Sequence, residues 1–298
     1  MAAEGAKTVA QWLEKGESFL EQRGVTEAAA NCEFILAEVL GCNRPQVLAS
    51  GGRSLSWKQE NHFWDLVKRR GRRVPLAYLL GTQPFAGLEI KVKPQVLIPR
   101  PETEQLVECV IKTARLRFAD RIQAGAPLHV VEIGTGSGCI AVALAKALSG
   151  AIIYATEISD TALRLAEDNA RAHGVDGRIR FLREDLFKPS KGPTPWADIL
   201  VSNPPYVPSG ELEHLEPEVL EEPVLALDGG KDGLDAIRAI ASDAPRVLKR
   251  GGRLAIEFGD GQAEDVSAVL EGAGFADIEI HKDLQDHHRF AIALLEKP

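Results

Sequence analysis

Apolar residues recur at helical spacing in the first part of the chain and gather into strand-like runs further on. Val9, Trp12, Leu13, Phe19 and Leu20 keep the three-and-four step of one helix face, and Ala30, Phe34, Ile35, Ala37 and Leu40 repeat it. Residues 7–48 therefore predict helices, with Thr26 ahead of Glu27-Ala28-Ala29 as an N-cap. A further helix is predicted over Trp57–Arg70, where Phe63, Trp64 and Val67 share a face. From Phe85 to Ile98 apolar and polar positions alternate around a turn, the pattern of a β-hairpin or an extended linker. Pro99-Arg100-Pro101-Glu102-Thr103-Glu104 then opens a helix that should reach Phe118, its first turn acidic as the helix dipole favours.

Beyond Leu128 the period alternates. Strands are predicted over His129–Gly134, Ile152–Ile158, Arg178–Asp185, Trp196–Ser202 and Arg253–Phe258. Helices are predicted over Cys139–Leu148, Thr161–His173, Leu234–Leu248 and Ala263–Gly272. Such alternation means a mostly parallel sheet with helices on both faces. Ile278–Asp283 and Arg289–Leu295 have no helix between them, which implies an antiparallel pair at one edge. The expected organisation is a small helical domain over residues 1–75, a β-hairpin linker over 76–98 and an α/β domain over 99–298.

Composition narrows the class. With 298 residues, 45 % hydrophobic and 26 % charged, the chain reads as soluble and globular. Met1 to Lys15 is polar and interrupted, so neither a signal peptide nor an anchor is expected there. No apolar run approaches the roughly 18 residues a membrane span needs. Cys32, Cys42, Cys109 and Cys139 form no Cys-x-x-Cys pair, which predicts free thiols in a reducing cytoplasm. The net charge of −8 is uneven: residues 1–75 carry 11 basic and 9 acidic side chains, the remainder 24 and 34. An acidic α/β portion speaks against a nucleic-acid substrate, since such binders gain affinity by neutralising phosphates. Lys68-Arg69-Arg70-Gly71-Arg72-Arg73 is the exception, open to two readings: a solvated helix end, or a contact surface for an acidic or RNA-associated partner.

Two motifs carry chemistry. Glu132-Ile133-Gly134-Thr135-Gly136-Ser137-Gly138 lies between an apolar strand and an apolar helix, the context of a nucleotide-like cofactor under a helix N-terminus. Glycine lets the backbone turn sharply and come close to a ligand. Glu157 follows Gly138 by 19 residues, at the end of the second strand, where a carboxylate can accept from two ribose hydroxyls. Asp185 and Leu186, after the third strand, fall where an adenine would lie, the carboxylate taking the exocyclic amine and Leu186 a ring face. Glycine spacing alone does not separate S-adenosylmethionine from NAD.

The second motif, Asn203-Pro204-Pro205-Tyr206, closes the apolar run from Ala197 and decides for S-adenosylmethionine. A planar NH2 nitrogen is a poor nucleophile because its lone pair is delocalised. A site helps by accepting both N–H hydrogens, which fixes the nitrogen and offsets the charge that builds on it. Asn203 offers a side-chain carbonyl, Pro204 a rigid backbone carbonyl that, with Pro205, has no competing N–H, and Tyr206 a flat face. The implied chemistry is N-methylation, of a base or of an amide. A third possibility, a cofactor-binding interaction protein without catalysis, sits poorly with an intact Asn203 and glycine loop.

At this point the chain resembles the release factor glutamine N5-methyltransferase (HemK/PrmC) family over nearly all its length. The resemblance rests on Pro75-Leu76-Ala77-Tyr78-Leu79-Leu80-Gly81, on Phe85-x-Gly87-Leu88, on Val96 to Glu104, on the glycine loop, and on Val201 to Tyr206. Pro99 to Glu104 discriminates most, since adenine methyltransferases share the Asn-Pro-Pro-Tyr box without it; it reads either as a helix start or as a cap over the cofactor. The resemblance implies a helical N-terminal domain that docks the partner, a hairpin linker and a seven-stranded Rossmann-like methyltransferase domain. It implies as substrate the glutamine of the Gly-Gly-Gln loop in class 1 peptide chain release factors, with no membrane and no direct nucleic-acid substrate. By position, Gly134 to Gly138, Glu157, Leu186 and Asn203 would hold S-adenosylmethionine, and Asn203 to Tyr206 the glutamine. Glu157 stands where the family often carries Asp. Leu225 to Gly233 also matches a family segment, and reads equally as a glycine-rich loop before a helix.

Overall fold

The computed structural model describes residues 7–185 and 195–296. The chain forms two compact units: Met1–Thr82 together with Glu216–Glu221, and Gln83–Leu215 together with Glu222–Pro298.

The first unit is helical: α1 (Val9–Glu21), α2 (Ala28–Leu40), α3 (Arg44–Ala49), α4 (Trp57–Arg70) and α5 (Leu76–Leu80). Three of these start at capping boxes, Thr8 with Gln11, Asn43 with Gln46 and Ser56 with Gln59, each satisfying two otherwise unpaired N–H groups. Thr26, expected as the cap of α2, is not one: Glu27 takes that place at a left-handed φ of 51°, which leaves Thr26 outside the helix. Val9, Leu20, Ile35, Leu36, Phe63 and Val67 fill the core. A Cβ on Gly16 would come 2.8 Å from Cys32 Sγ, so glycine is what allows α1 to approach its neighbours there.

The basic cluster is split in this unit. Lys68, Arg69 and Arg72 are exposed, whereas Arg70 is buried, donating from Nε to Asn31 Oδ1 at 2.7 Å and pairing with Glu218 at 2.7 Å. Arg73 holds both oxygens of the same carboxylate. Neither arginine is part of a merely solvated helix end.

β1 (Thr82–Phe85), all but its first residue in the second unit, and β2 (Leu88–Lys91) form the hairpin, ending earlier than the alternation to Ile98 suggested. Ala86 and Gly87 both take positive φ, as a two-residue type I′ turn requires. There follow α6 (Pro101–Arg117), α7 (Ala119–Gln123), β3 (Leu128–Ile133), α8 (Cys139–Ala147), β4 (Ala151–Glu157), α9 (Asp160–Ala172), β5 (Ile179–Arg183) and β6 (Ala197–Ser202). After them come α10 (Asp235–Asp243), β7 (Leu248–Glu257), α11 (Ala263–Gly272), β8 (Phe275–Lys282) and β9 (His288–Leu295). Seven strands make one sheet in the order β5-β4-β3-β6-β7-β9-β8, parallel except for β9. The antiparallel pair at the edge is the one anticipated.

Side chains alternate between two cores. Val130, Ile153, Ile199, Val201 and Ala255 face one side of the sheet; Val131, Ile133, Leu200, Leu254 and Ile256 face the other. Helices cover both sides, which is why these strands carry near-continuous apolar runs. The helix expected over Leu234–Leu248 stops at Asp243 instead, followed by a 3-10 turn over Ala244–Arg246. Pro245 is the cause: it has no N–H to donate, and its ring would clash with the carbonyl four residues back. Leu248 consequently begins β7.

Candidate active site

The sheet order reverses between β3 and β6, and a crevice opens at the carboxyl ends of strands whose connections diverge. Register then decides which residues meet. Ile133 lies beside Thr156 on one side and Ser202 on the other, and Ser202 lies beside Ile256. The next residue along each strand, Gly134, Glu157, Asn203 and Glu257, therefore lies along one edge, at the carboxyl ends of the strands. A cavity of about 630 Å³ sits there. Of the residues anticipated from sequence, Gly134, Thr135, Gly136, Ser137, Glu157, Asp185, Asn203, Pro204 and Pro205 line it. Gly138 and Tyr206 are not part of its wall, and Leu186 lies outside the described residues.

The glycines divide by role. Gly134, Gly136 and Gly138 have φ of 72°, 55° and 81°, a region that favours glycine. A Cβ on Gly134 or Gly136 would meet no protein atom within 4 Å, so these two leave the cavity side of the loop open. A Cβ on Gly138 would come 2.9 Å from that of Ala166, so this glycine serves the packing of α8 against α9. The loop is anchored where Gly134 N and Thr135 N donate to the Thr156 carbonyl at 3.0 and 2.9 Å. Asn169 Nδ2 also donates to the Ser137 carbonyl at 2.8 Å.

Two carboxylates flank the loop. Glu157 accepts from Gly136 N with one oxygen and from Ser159 N with the other, both at 2.9 Å. A carboxylate oxygen has a second acceptor site, so each retains capacity toward the cavity. Glu132 is fully buried, accepts from Thr135 Oγ1 at 2.8 Å through Oε2, and has no partner for Oε1 among the described residues. Burial pushes its carboxyl up to about 8, opposed by the Thr135 hydrogen bond.

Asn203 is tied from behind. Its Nδ2 donates to Thr103 Oγ1 at 3.0 Å, and Thr103 Oγ1 donates to Glu257 Oε2 at 2.7 Å. Tyr206 turns its hydroxyl toward the other oxygen of Glu257, at 3.4 Å, and packs in the core on that side of the sheet. Burial raises the Glu257 carboxyl to about 7 and pushes the Tyr206 hydroxyl well above its ordinary value, so it stays protonated. The turn itself is clamped: Gln262 Nε2 donates to the Tyr206 carbonyl at 3.0 Å, and a Cβ on Gly233 would come 2.3 Å from that oxygen. The Leu225–Gly233 segment thus supports the turn through its glycine, while Leu225, Ala226 and Asp228 line the cavity.

Pro99 to Glu104 is both a helix start and a wall. Pro101 opens α6, while Pro99, Arg100 and Thr103 line the cavity. Arg100 pairs with Glu222, whose other oxygen accepts from Ile98 N at 2.9 Å. Glu222 and Glu257 had no signal in the sequence, because their partners lie far off along the chain, Ile98 124 residues from Glu222 and Thr103 154 from Glu257; Thr103 lies within the Pro99–Glu104 element, but nothing there pointed to its hydroxyl.

The family model for the PrmC N-terminal domain matches residues 11–81, and that for the methyltransferase small domain matches residues 114–222. The release factor glutamine methyltransferase of Geobacter sulfurreducens is 42 % identical over 271 residues, 91 % of this chain and 90 % of that one. That of Moorella thermoacetica is 39 % identical over 267 residues, 90 % of this chain and 91 % of its own. The N-terminal domain of human METTL16, solved in complex with SAH, shares the fold at a TM-score of 0.52 and 18 % identity, over 83 % of this chain and 86 % of that one.

Proposed function

The chain belongs to the release factor glutamine methyltransferase family, and from that premise we propose that it methylates the N5 nitrogen of a glutamine in class 1 peptide chain release factors. The glutamine is that of the Gly-Gly-Gln loop, and the methyl donor is S-adenosylmethionine. The observation that carries this reading is that a single cavity is walled by the open glycine loop on one side and by Asn203-Pro204-Pro205 on the other. When bound, S-adenosylmethionine supplies an electrophilic methyl group on a sulfonium.

The chain's own residues do the rest. Gly134 and Gly136 admit the cofactor close to the backbone, and Glu157 has acceptor capacity left for ribose hydroxyls. Asp185 is offered to the adenine amine, and Leu186, from its place in the sequence, to a ring face. Asn203 Oδ1 and the Pro204 carbonyl accept the two N–H hydrogens of the glutamine amide, which orients the nitrogen and offsets its growing positive charge. One proton then leaves to solvent. Tyr206 enters this reading as a support of the turn, since its hydroxyl faces Glu257. The helical unit is the docking element for the release factor, in the cytoplasm, where such partners work. Among the described residues no helix is long and apolar enough to cross a membrane.

The test offers methyl-labelled S-adenosylmethionine with, separately, a class 1 release factor, DNA and tRNA. Label is expected in the release factor alone and is lost when its Gly-Gly-Gln glutamine is replaced. Label only in nucleic acid overturns the reading. Asn203→Ala should lower transfer about a hundredfold or more with the melting temperature preserved; unchanged turnover would remove Asn203 from the mechanism.

A further inference from the structure

Behind Asn203 lies a short chain of hydrogen bonds that ends in a buried carboxyl group. Asn203 Nδ2 donates to Thr103 Oγ1, and Thr103 Oγ1 donates to Glu257 Oε2. Thr103 is 2 % exposed and Glu257 1 %. A hydroxyl has one hydrogen, and an ionised carboxylate can only accept. With its hydrogen committed to Glu257, Thr103 can only accept from Asn203. The Asn203 NH2 must then face Thr103, and its carbonyl oxygen must point the other way. The bond to Thr103 is the one side-chain hydrogen bond Asn203 makes among the described residues, so nothing else there sets the amide.

We propose that Thr103 and Glu257 are positioning residues that hold the Asn203 amide with its NH2 inward, so that Oδ1 is presented to the N–H of the acceptor amide. The inference rests on the glutamine-methylation reading and deepens it. A flipped Asn203 would present N–H to N–H, repelling the acceptor nitrogen it has to orient.

The lock has a condition. Burial raises the Glu257 carboxyl to about 7, opposed by the Thr103 bond. The other groups that bear on it are Glu102 on α6, Tyr206 after β6 and Arg289 on β9, and Cys139 at the start of α8 lies within its field. Once protonated, Glu257 can donate to Thr103 Oγ1. The threonine hydrogen is then free to turn toward Asn203 and to accommodate the flipped amide. Turnover should therefore fall as pH drops through about 7, with the slope of a single proton.

Three variants of the full chain test this with release factor and S-adenosylmethionine. Thr103→Val keeps the volume and loses the hydroxyl; kcat should fall about ten- to a hundredfold while binding of S-adenosylhomocysteine is unchanged. Thr103→Ser restores the hydroxyl and should recover most of the loss. Glu257→Gln should lose the acid limb of the pH profile. A purely structural role would lower melting temperature and leave kcat per folded molecule and the pH profile alone. Wild-type kcat in Thr103→Val, equal damage in Thr103→Ser, or an acid limb that persists in Glu257→Gln each overturns the inference. If the unmodified chain binds S-adenosylhomocysteine yet labels no release factor, the acceptor reading fails and this inference with it. A labelled release factor with indifferent variants sinks the positioning role alone.

Discussion

Gly136 and Gly138 share a motif and a left-handed backbone but not their surroundings, and replacing each by alanine separates ligand space from packing. At Gly138 the new Cβ would stand 2.9 Å from the Cβ and 3.0 Å from the Cα of Ala166, which is fully buried in α9. Backbone cannot yield as a side-chain tip can, so α8 and α9 must move apart. At Gly136 the Cβ meets nothing within 4 Å, on a residue that lines the cavity. Both variants carry the left-handed cost of an L side chain, about 1–2 kcal/mol. Only Gly138→Ala adds overpacking, about 1–3 kcal/mol. Its stability should fall by about 2–5 kcal/mol, a drop in melting temperature on the order of 10 °C. Gly136→Ala should fall by about 1–2 kcal/mol and lose affinity for S-adenosylhomocysteine by about tenfold or more, since its methyl occupies space the ligand needs. Calorimetric melting and titration with S-adenosylhomocysteine well below the transition measure both quantities. Equal losses of stability in the two variants, or wild-type affinity in Gly136→Ala, would refute the division of roles.

Two further perturbations follow from buried charge. Glu218→Ala leaves the buried Arg70 without its carboxylate and should cost about 1–3 kcal/mol, discounted for the partial exposure of Glu218, whereas Glu216→Ala, 76 % exposed, should cost under about 0.5 kcal/mol by urea unfolding; equal costs would mean that the Asn31 bond alone satisfies Arg70. Glu132, raised to about 8 by burial, keeps its proton in the folded chain at pH values where the unfolded chain has lost it. Its contribution to stability is then full below about pH 4.5 and declines as pH rises toward 8. Glu132→Gln should match the wild type at pH 5 and exceed it by about 1–3 kcal/mol at pH 8.5; parallel curves of melting temperature against pH would show that Glu132 is not a buried titrating acid.

Most elements were legible because their periodicity is local. β3, β6 and β7 are buried on both faces and carry the apolar runs that such burial selects. Pro245 marks a limit of that reasoning: Val247 and Leu248 continue the apolar pattern of α10, yet one missing N–H ends the helix and gives Leu248 to a strand. Chain excursions were not legible either. Nothing in Glu216 to Glu221 signals that this stretch belongs with the helical unit, because what ties it there is the pairing of Glu218 with Arg70 and Arg73, far off along the chain.

The site divides along the same line. Residues that one loop brings to the cavity wall lie near each other in sequence, so the glycine loop and Asn203-Pro204-Pro205 could be placed together from the sequence. Tyr206 shows the hazard of that shortcut: three residues from Asn203, it is turned by the clamped backbone toward Glu257. The groups that orient Asn203 come from elsewhere, Thr103 from α6 and Glu257 from the end of β7, a pair 154 residues apart. A buried acid must be surrounded on every side to stay buried, so its neighbours have to come from several elements. An amide at a cavity wall has two orientations of equal shape, and only a partner with one free role can choose between them. A four-residue motif contains no such partner. The box supplies Asn203, but which atom of its amide faces the cavity is decided by the docking of α6 and the register of β6 with β7.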